Sequence, residues 1–225
     1  MPTDDMRTSC NHLILLAIFI GLLCSSSSLG QTKTITGSEF YQVMADGYLK
    51  LKNTSYREKE RKEEFGAGSS TPTLITERAI ENIPPGKEHM ISIQNEDGKI
   101  QKDERIAIGQ QMYYRSNDEP WERYVNRTGA PILGEAMEPS FGSYKIIDKT
   151  KLSGQKVTIY EKTERFKKTY VDDEDSELVV RLWIDRFGRM LQVLVTMSKL
   201  ESKTRIKTIT TYEYDSSIKI EAPIK

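Results

Sequence analysis

The chain has 225 residues, with 33 basic and 33 acidic side chains, no formal net charge, 37% hydrophobic residues and 29% charged ones. Opposite charges are interleaved along it, which argues against nucleic acid or a strongly anionic membrane face as partner. Both cysteines, Cys10 and Cys24, lie near the N-terminus, so the rest of the chain has no disulfide or thiol chemistry to draw on.

Leu13 to Leu23 is an unbroken apolar run, suited in length to a signal-peptide core and too short to cross a bilayer. It predicts export. Ser28-Leu29-Gly30 places small residues where a signal peptidase reads, so cleavage is expected near Gly30, leaving 31–225 as a single domain in the periplasm or secreted. Asp4 and Asp5 outweigh Arg7 ahead of the run, an imbalance that a start at Met6 would repair. Lipidation at Cys24 is disfavoured, because Leu23 precedes it where that pathway wants a small residue.

Thr36-Gly37-Ser38-Glu39 has the spacing of a capping box, and Phe40, Val43, Met44, Tyr48 and Leu51 recur at helical intervals. A helix from Ser38 to about Leu51 follows, with a stripe narrow enough to lie on a sheet. From Ser55 the texture changes to strands. The charged run Thr54 to Phe65 reads as extended, Gly66 to Pro72 as a loop and Thr73 to Ile83 as a strand closed by Pro84-Pro85-Gly86. Lys87 to Asn95 and Lys99 to Ile108 flank Asp97-Gly98, a strong two-residue hairpin signal. Gln111 to Arg115 and Trp121 to Val125 continue the meander. Thr128 to Gly142 interrupts it with Ile132, Leu133, Met137 and Phe141 near helical spacing between Pro131 and Pro139, a short helical lid. Strands resume at Ser143 to Lys149 and Gln155 to Lys167.

Glu177 to Lys199 reads as the central hairpin, turning at Asp185 to Arg189 with Gly188 free to take a positive φ. Leu178, Val180, Leu182 and Ile184 share one face, as do Leu191, Val193, Val195 and Met197 on the return strand. Val179, Trp183, Leu194 and Met190 point the other way, so both faces have apolar groups to cover. Lys203 to Tyr214 and a terminal Ile218 to Pro223 complete about eleven strands, and a sheet that wide curls or closes.

Enzyme signatures are sparse. Beyond the leader there is one histidine, His89, in strand alternation with Ile91 and Ile93, and no GxSxG surrounds a serine. The usual zinc sets cannot be assembled and no Gly-rich phosphate loop precedes a helix. Asp172-Asp173-Glu174-Asp175 matches no EF-hand loop and reads as a charged turn. No metal, cofactor or catalytic residue is expected. Apolar surface in unusual places remains: Tyr113, Tyr114, Trp121 and Tyr124 around one hairpin, and Val179, Trp183 and Leu194 on the second face of the central one. Lining a concave sheet under the Pro131 to Phe141 lid, these groups would form a mostly apolar cavity of the kind that holds a ligand; as an ordinary core with scattered surface aromatics they would bind nothing.

An exported chain with a leading helix, the opening Ser55-Tyr56-Arg57, then Glu104-Arg105-Ile106-Ala107-Ile108-Gly109 leading into Tyr113-Tyr114 and Trp121, and the closing Tyr212-Glu213-Tyr214 to Ile218 and Pro223 resembles the LolA-like periplasmic carriers. These include the LolA lipoprotein carriers and the LppX and LprG glycolipid carriers. The resemblance implies a half-open antiparallel β-barrel of about eleven strands around helices, with a cavity for acyl chains. It also implies a non-enzymatic role with a lipid or acylated protein as cargo and a membrane-associated partner, since exposing an acyl chain to water costs about 0.8 kcal/mol per CH₂. No arginine here matches the one that governs opening in the lipoprotein carriers. The cavity and lid candidates are Tyr113, Trp121, Ile132, Leu133, Met137, Phe141, Val179, Trp183 and Leu194. A protein-interaction or signalling module on the same scaffold is the rival expectation.

Overall fold

The computed structural model describes residues 32–96, 98–125, 141–168 and 174–224, which fall in one compact unit. The apolar leader and the Ile132, Leu133 and Met137 segment lie outside the described residues, as do Asp172 and Asp173.

The helix α1 (Gly37–Lys52) starts where the capping signal put it. The Glu39 amide donates to Thr36 Oγ1 at 3.1 Å and the Thr36 amide donates back to Glu39 Oε2 at 2.7 Å, so two otherwise orphaned donors are satisfied.

Twelve strands form one antiparallel sheet: β1 (Lys33–Thr34), β2 (Tyr56–Phe65), β3 (Leu74–Ile83), β4 (Lys87–Glu96), β5 (Lys99–Ile108), β6 (Gln111–Ser116), β7 (Glu122–Val125), β8 (Phe141–Leu152), β9 (Gln155–Phe166), β10 (Ser176–Asp185), β11 (Met190–Lys199) and β12 (Arg205–Tyr214). Their order is β1-β8-β9-β10-β11-β12-β2-β3-β4-β5-β6-β7. Two meanders are thus joined where β12, the last strand, pairs with β2, the first long one. The sheet does not close; β1 and β7 are its edges, and it forms a half-barrel around α1.

β2 has charged residues on both faces and yet sits in the middle of the sheet. Backbone ladders to β12 and β3 hold it, and cross-strand ion pairs match its charges: Arg57 with Glu81 at 2.9 Å, Arg61 with Glu77 at 2.6 Å and Glu60 with Arg78 at 3.6 Å. Each such pair contributes a few tenths of a kcal/mol up to about 1. Together they keep the register of a strand that hydrophobic alternation cannot specify.

The main core forms between α1 and the central hairpin. Phe40 and Leu51 pack on Val180, Leu182, Ile184, Met190 and Val193, with Leu178 and Val195 beside them. Phe40, Leu182 and Met190 are fully buried, each contributing roughly 1.5–3 kcal/mol by leaving water. The helix comes close because Gly47 has no side chain: a Cβ there would lie 2.9 Å from Met190 Cε.

Two expectations are corrected. The register steps between Trp183 and Ile184, so that Trp183 pairs with Gln192 but Ile184 pairs with Met190. Leu191 is the extra residue of this bulge, and Met190 swings onto the helix face instead of away from it. The Ile218 to Pro223 segment is not a strand. Its alternation still buries Ile218 and Ile220, but against Ile106 and Tyr113 with Ile83, Ile108 and Trp121 at their side. Apart from Trp121, which immediately precedes β7, those residues come from β3, β5 and β6, whose edges are already paired on both sides, so the tail lies across these strands with no ladder to join.

Candidate functional site

Strand alternation sorts the side chains into two faces. On the α1 side, Tyr56 and Glu58 of β2 stand opposite Tyr214 and Tyr212 of β12, while Asn82 of β3 faces Tyr56. The last turns of α1 add Tyr48 and Leu51, three residues apart on one helix face. These groups, with Lys52, Asn53 and the Pro84-Pro85-Gly86 turn, line an open cavity of about 880 Å³. The turn is pinned by the Gly109 amide donating to Gly86 O at 2.8 Å.

The cavity wall is aromatic. Tyr56 and Tyr212 meet edge to face with ring centroids 5.9 Å apart, an arrangement the ring quadrupoles favour. Glu58 stands among the three tyrosines. Burial pushes its carboxyl up to about 7, helped by the charges of Glu60 and Glu88 and opposed by Arg78. Burial likewise raises the Tyr48, Tyr56 and Tyr212 phenols, and the charge of Glu58 adds to the shift in all three. Glu60 and Glu88 each have an arginine, Arg78 and Arg105 respectively. Among the described residues Glu58 has neither ion pair nor hydrogen bond.

At the other end of α1 lies a closed polar cluster. Glu164, 2% exposed, takes Lys162 Nζ at 2.7 Å and the hydroxyls of Tyr41 and Tyr144 at 2.6 and 2.8 Å. Burial pushes the Glu164 carboxyl up, but these partners outweigh it and hold it below the usual range. The Tyr41 and Tyr144 phenols are correspondingly pushed up to about 12, by burial first and then by Glu164. Every member is partnered, so the cluster docks the helix on β8 and β9 and offers nothing to a ligand.

The face away from α1 has a smaller apolar pocket of about 410 Å³, floored by Ala79, Ile91, Ile93 and Ile209 and rimmed by Lys59, Arg61 and Glu77. Leu194 pairs with Ile209, so Val179, Trp183 and Leu194 continue this surface, half-buried. They do not line the helix-side cavity. Tyr113, 3% exposed, and Trp121 belong to the second cluster under the C-terminal tail. Phe141 is exposed, with the Arg165 guanidinium 5.8 Å from its ring centroid. The sequence candidates therefore do not meet in one place, and Ile132, Leu133 and Met137 lie outside the described residues.

His89 Nε2 lies 2.8 Å from Glu104 Oε1, and Arg115 binds the same carboxylate; this lone histidine is part of an ion-pair group. Among the described residues no three of His, Cys, Asp or Glu are grouped to hold a metal ion, and no helix is long and apolar enough to cross a membrane. The cavity residues Tyr48, Tyr56, Glu58 and Tyr212 escaped sequence reasoning because β2 and β12 come from opposite ends of the chain. The period-two spacing of Tyr56 with Glu58, and of Tyr212 with Tyr214, was the available signal.

No family model and no curated protein matches the chain. Among solved structures it is similar to a DUF1329 family protein from Desulfovibrio piger, at 10% identity over 81% of this chain and 94% of that one, with a TM-score of 0.32. An outer membrane lipoprotein-sorting protein domain from Vibrio parahaemolyticus matches at 10% identity over 79% and 93%, TM-score 0.32. A LolA superfamily protein from Nitrosomonas europaea matches at 8% identity over 77% and 90%, TM-score 0.29. The architecture of the described residues stands on its own strand order and register: an open antiparallel half-barrel around α1.

Proposed function

We propose that the protein is an exported, non-enzymatic binding protein that carries or senses lipid or lipoprotein acyl chains. The observation that supports this reading is the helix-side cavity, about 880 Å³ and walled by Tyr48, Leu51, Tyr56, Pro84, Pro85 and Tyr212. Such a volume is in the range of small-molecule sites, and each methylene it takes from water gains about 0.8 kcal/mol. In this reading the leader is cleaved near Gly30 and the cargo is a lipid or an acylated protein handed on by a membrane-associated partner. Mass spectrometry of organic extracts from natively purified protein tests it. An amphiphile recovered in near-stoichiometric amount is expected, and Asn82→Trp, which fills the cavity, is expected to lose it while the protein stays folded. Repeated extracts without lipid would sink the reading.

A second reading draws on the opposite face. Val179, Trp183 and Leu194 run half-buried into Ile209, Ile91 and Ile93, a surface that would suit a protein-interaction or signalling module. Cross-linking that recovers a stoichiometric partner attached near Trp183, from protein devoid of lipid, would favour it.

A further inference from the structure

The helix-side cavity contains a carboxylate that, among the described residues, has no ion-pair or hydrogen-bond partner, set among tyrosine rings. Tyr48 comes from α1, Tyr56 from β2 and Tyr212 from β12, and all three line the same space as Glu58. Tyr212 stands directly across the ladder from Glu58, and Tyr56 is two residues away on its own strand. The ring of Tyr56 meets that of Tyr212 at 73°, which gives the space a corner of two π-systems. The other carboxylates nearby are engaged: Glu60 by Arg78 at 3.6 Å and Glu88 by Arg105. A carboxylate left over in a half-dry aromatic pocket is the arrangement that receives a cation, since ring faces and anion attract the same charge.

We infer that this cavity binds a cationic amine or quaternary ammonium group, seated against Glu58 between Tyr48, Tyr56 and Tyr212. The inference rests on the binding reading above and adds the chemistry of the ligand's polar end. The apolar groups Leu51, Pro84 and Pro85 on the same wall would take an attached chain. A quaternary ammonium has no N–H to satisfy, so it can neutralise Glu58 and lie against the rings without further hydrogen bonds. The groups around Glu58 are Tyr48 and Lys52 from α1, Tyr56 and Glu60 on its own strand, Arg78 and Asn82 from β3, Glu88 from β4 and Tyr212 from β12. Glu60 is engaged by Arg78 and Glu88 by Arg105, and the Glu58 carboxyl is raised by burial first and then by the charges of Glu60 and Glu88.

The test is isothermal titration of the full chain, below micelle-forming concentrations, with dodecyltrimethylammonium, dodecyl maltoside, dodecanoate and tetramethylammonium. Dodecyltrimethylammonium is expected to bind about tenfold or more tighter than the neutral and anionic amphiphiles, a margin typical of a desolvated cation against rings and a carboxylate. Glu58→Gln should cut that preference about threefold or more, the rings keeping the rest, and Tyr212→Leu should weaken the ammonium about threefold or more. Raising the pH from 5.5 to 8 should strengthen ammonium binding in the wild type only. Tetramethylammonium alone separates the two sources of the charge: binding as tight as the dodecyl compound assigns the site to a free ammonium solute, and much weaker binding assigns it to a lipid. Equal binding of all three amphiphiles would overturn the inference and leave the carrier reading standing. No binding of any amphiphile would overturn both.

Discussion

Glu58 ties the chemistry of the cavity to the stability of the fold. Its carboxyl is raised from an ordinary 4.5 to about 7, so the folded state holds a proton that the unfolded chain releases. Stability from this group is fully present below about pH 4.5, declines as pH rises and is gone above about pH 7. Glu58→Gln removes the dependence. Thermal unfolding should show the variant gaining on the wild type between pH 5 and 7.5, and parallel curves would exclude the assignment. Lys162 matters for a different reason: its loss leaves the Glu164 carboxylate, in a site only 2% exposed, with two tyrosine hydroxyls and no counter-charge. Lys162→Ala should cost about 3–5 kcal/mol in urea unfolding, and Lys162→Met with Glu164→Leu should recover most of it. A loss under 1 kcal/mol for the single variant would mean the pair is not buried in solution.

Among the elements, α1 and the central hairpin carry the core. Thr36→Ala removes half of the capping box and should lower stability by about 1 kcal/mol. Leu182→Ala, at a fully buried site, should cost about 2–5 kcal/mol; equilibrium denaturation of both variants checks the two figures. These elements were also the most legible in the sequence. The Thr36 and Glu39 pair marked the helix start to within a residue, and the alternation of Leu178, Val180, Leu182 and Ile184 marked the strand that packs on it. The β11 bulge was not legible, since one extra residue brings Met190 onto the helix face without changing composition. The tail was misread for a related reason: Ile218 and Ile220 alternate as a strand does, and only the sheet around them shows that the strands they pack on are already paired on both sides.

For the whole molecule, the sequence revealed a wide antiparallel sheet but not which strands meet. Hairpin signals join neighbours in the chain; the pairing of β12 with β2 is non-local, and β2 has no hydrophobic pattern to announce it. That pairing builds the cavity, so the candidate site was the least legible part. Tyr113 and Trp121 proved to be core under the tail, and Trp183 lies on the far face of the sheet. The most direct test of the proposed cavity is photo-crosslinking of a diazirine-bearing acyl chain to the purified protein, with peptide mapping of the adducts. Competed labelling at Tyr48, Leu51, Tyr56 or Tyr212 is the expected result. Labelling confined to Val179, Trp183 and Leu194, or none that an unlabelled lipid displaces, would contradict it.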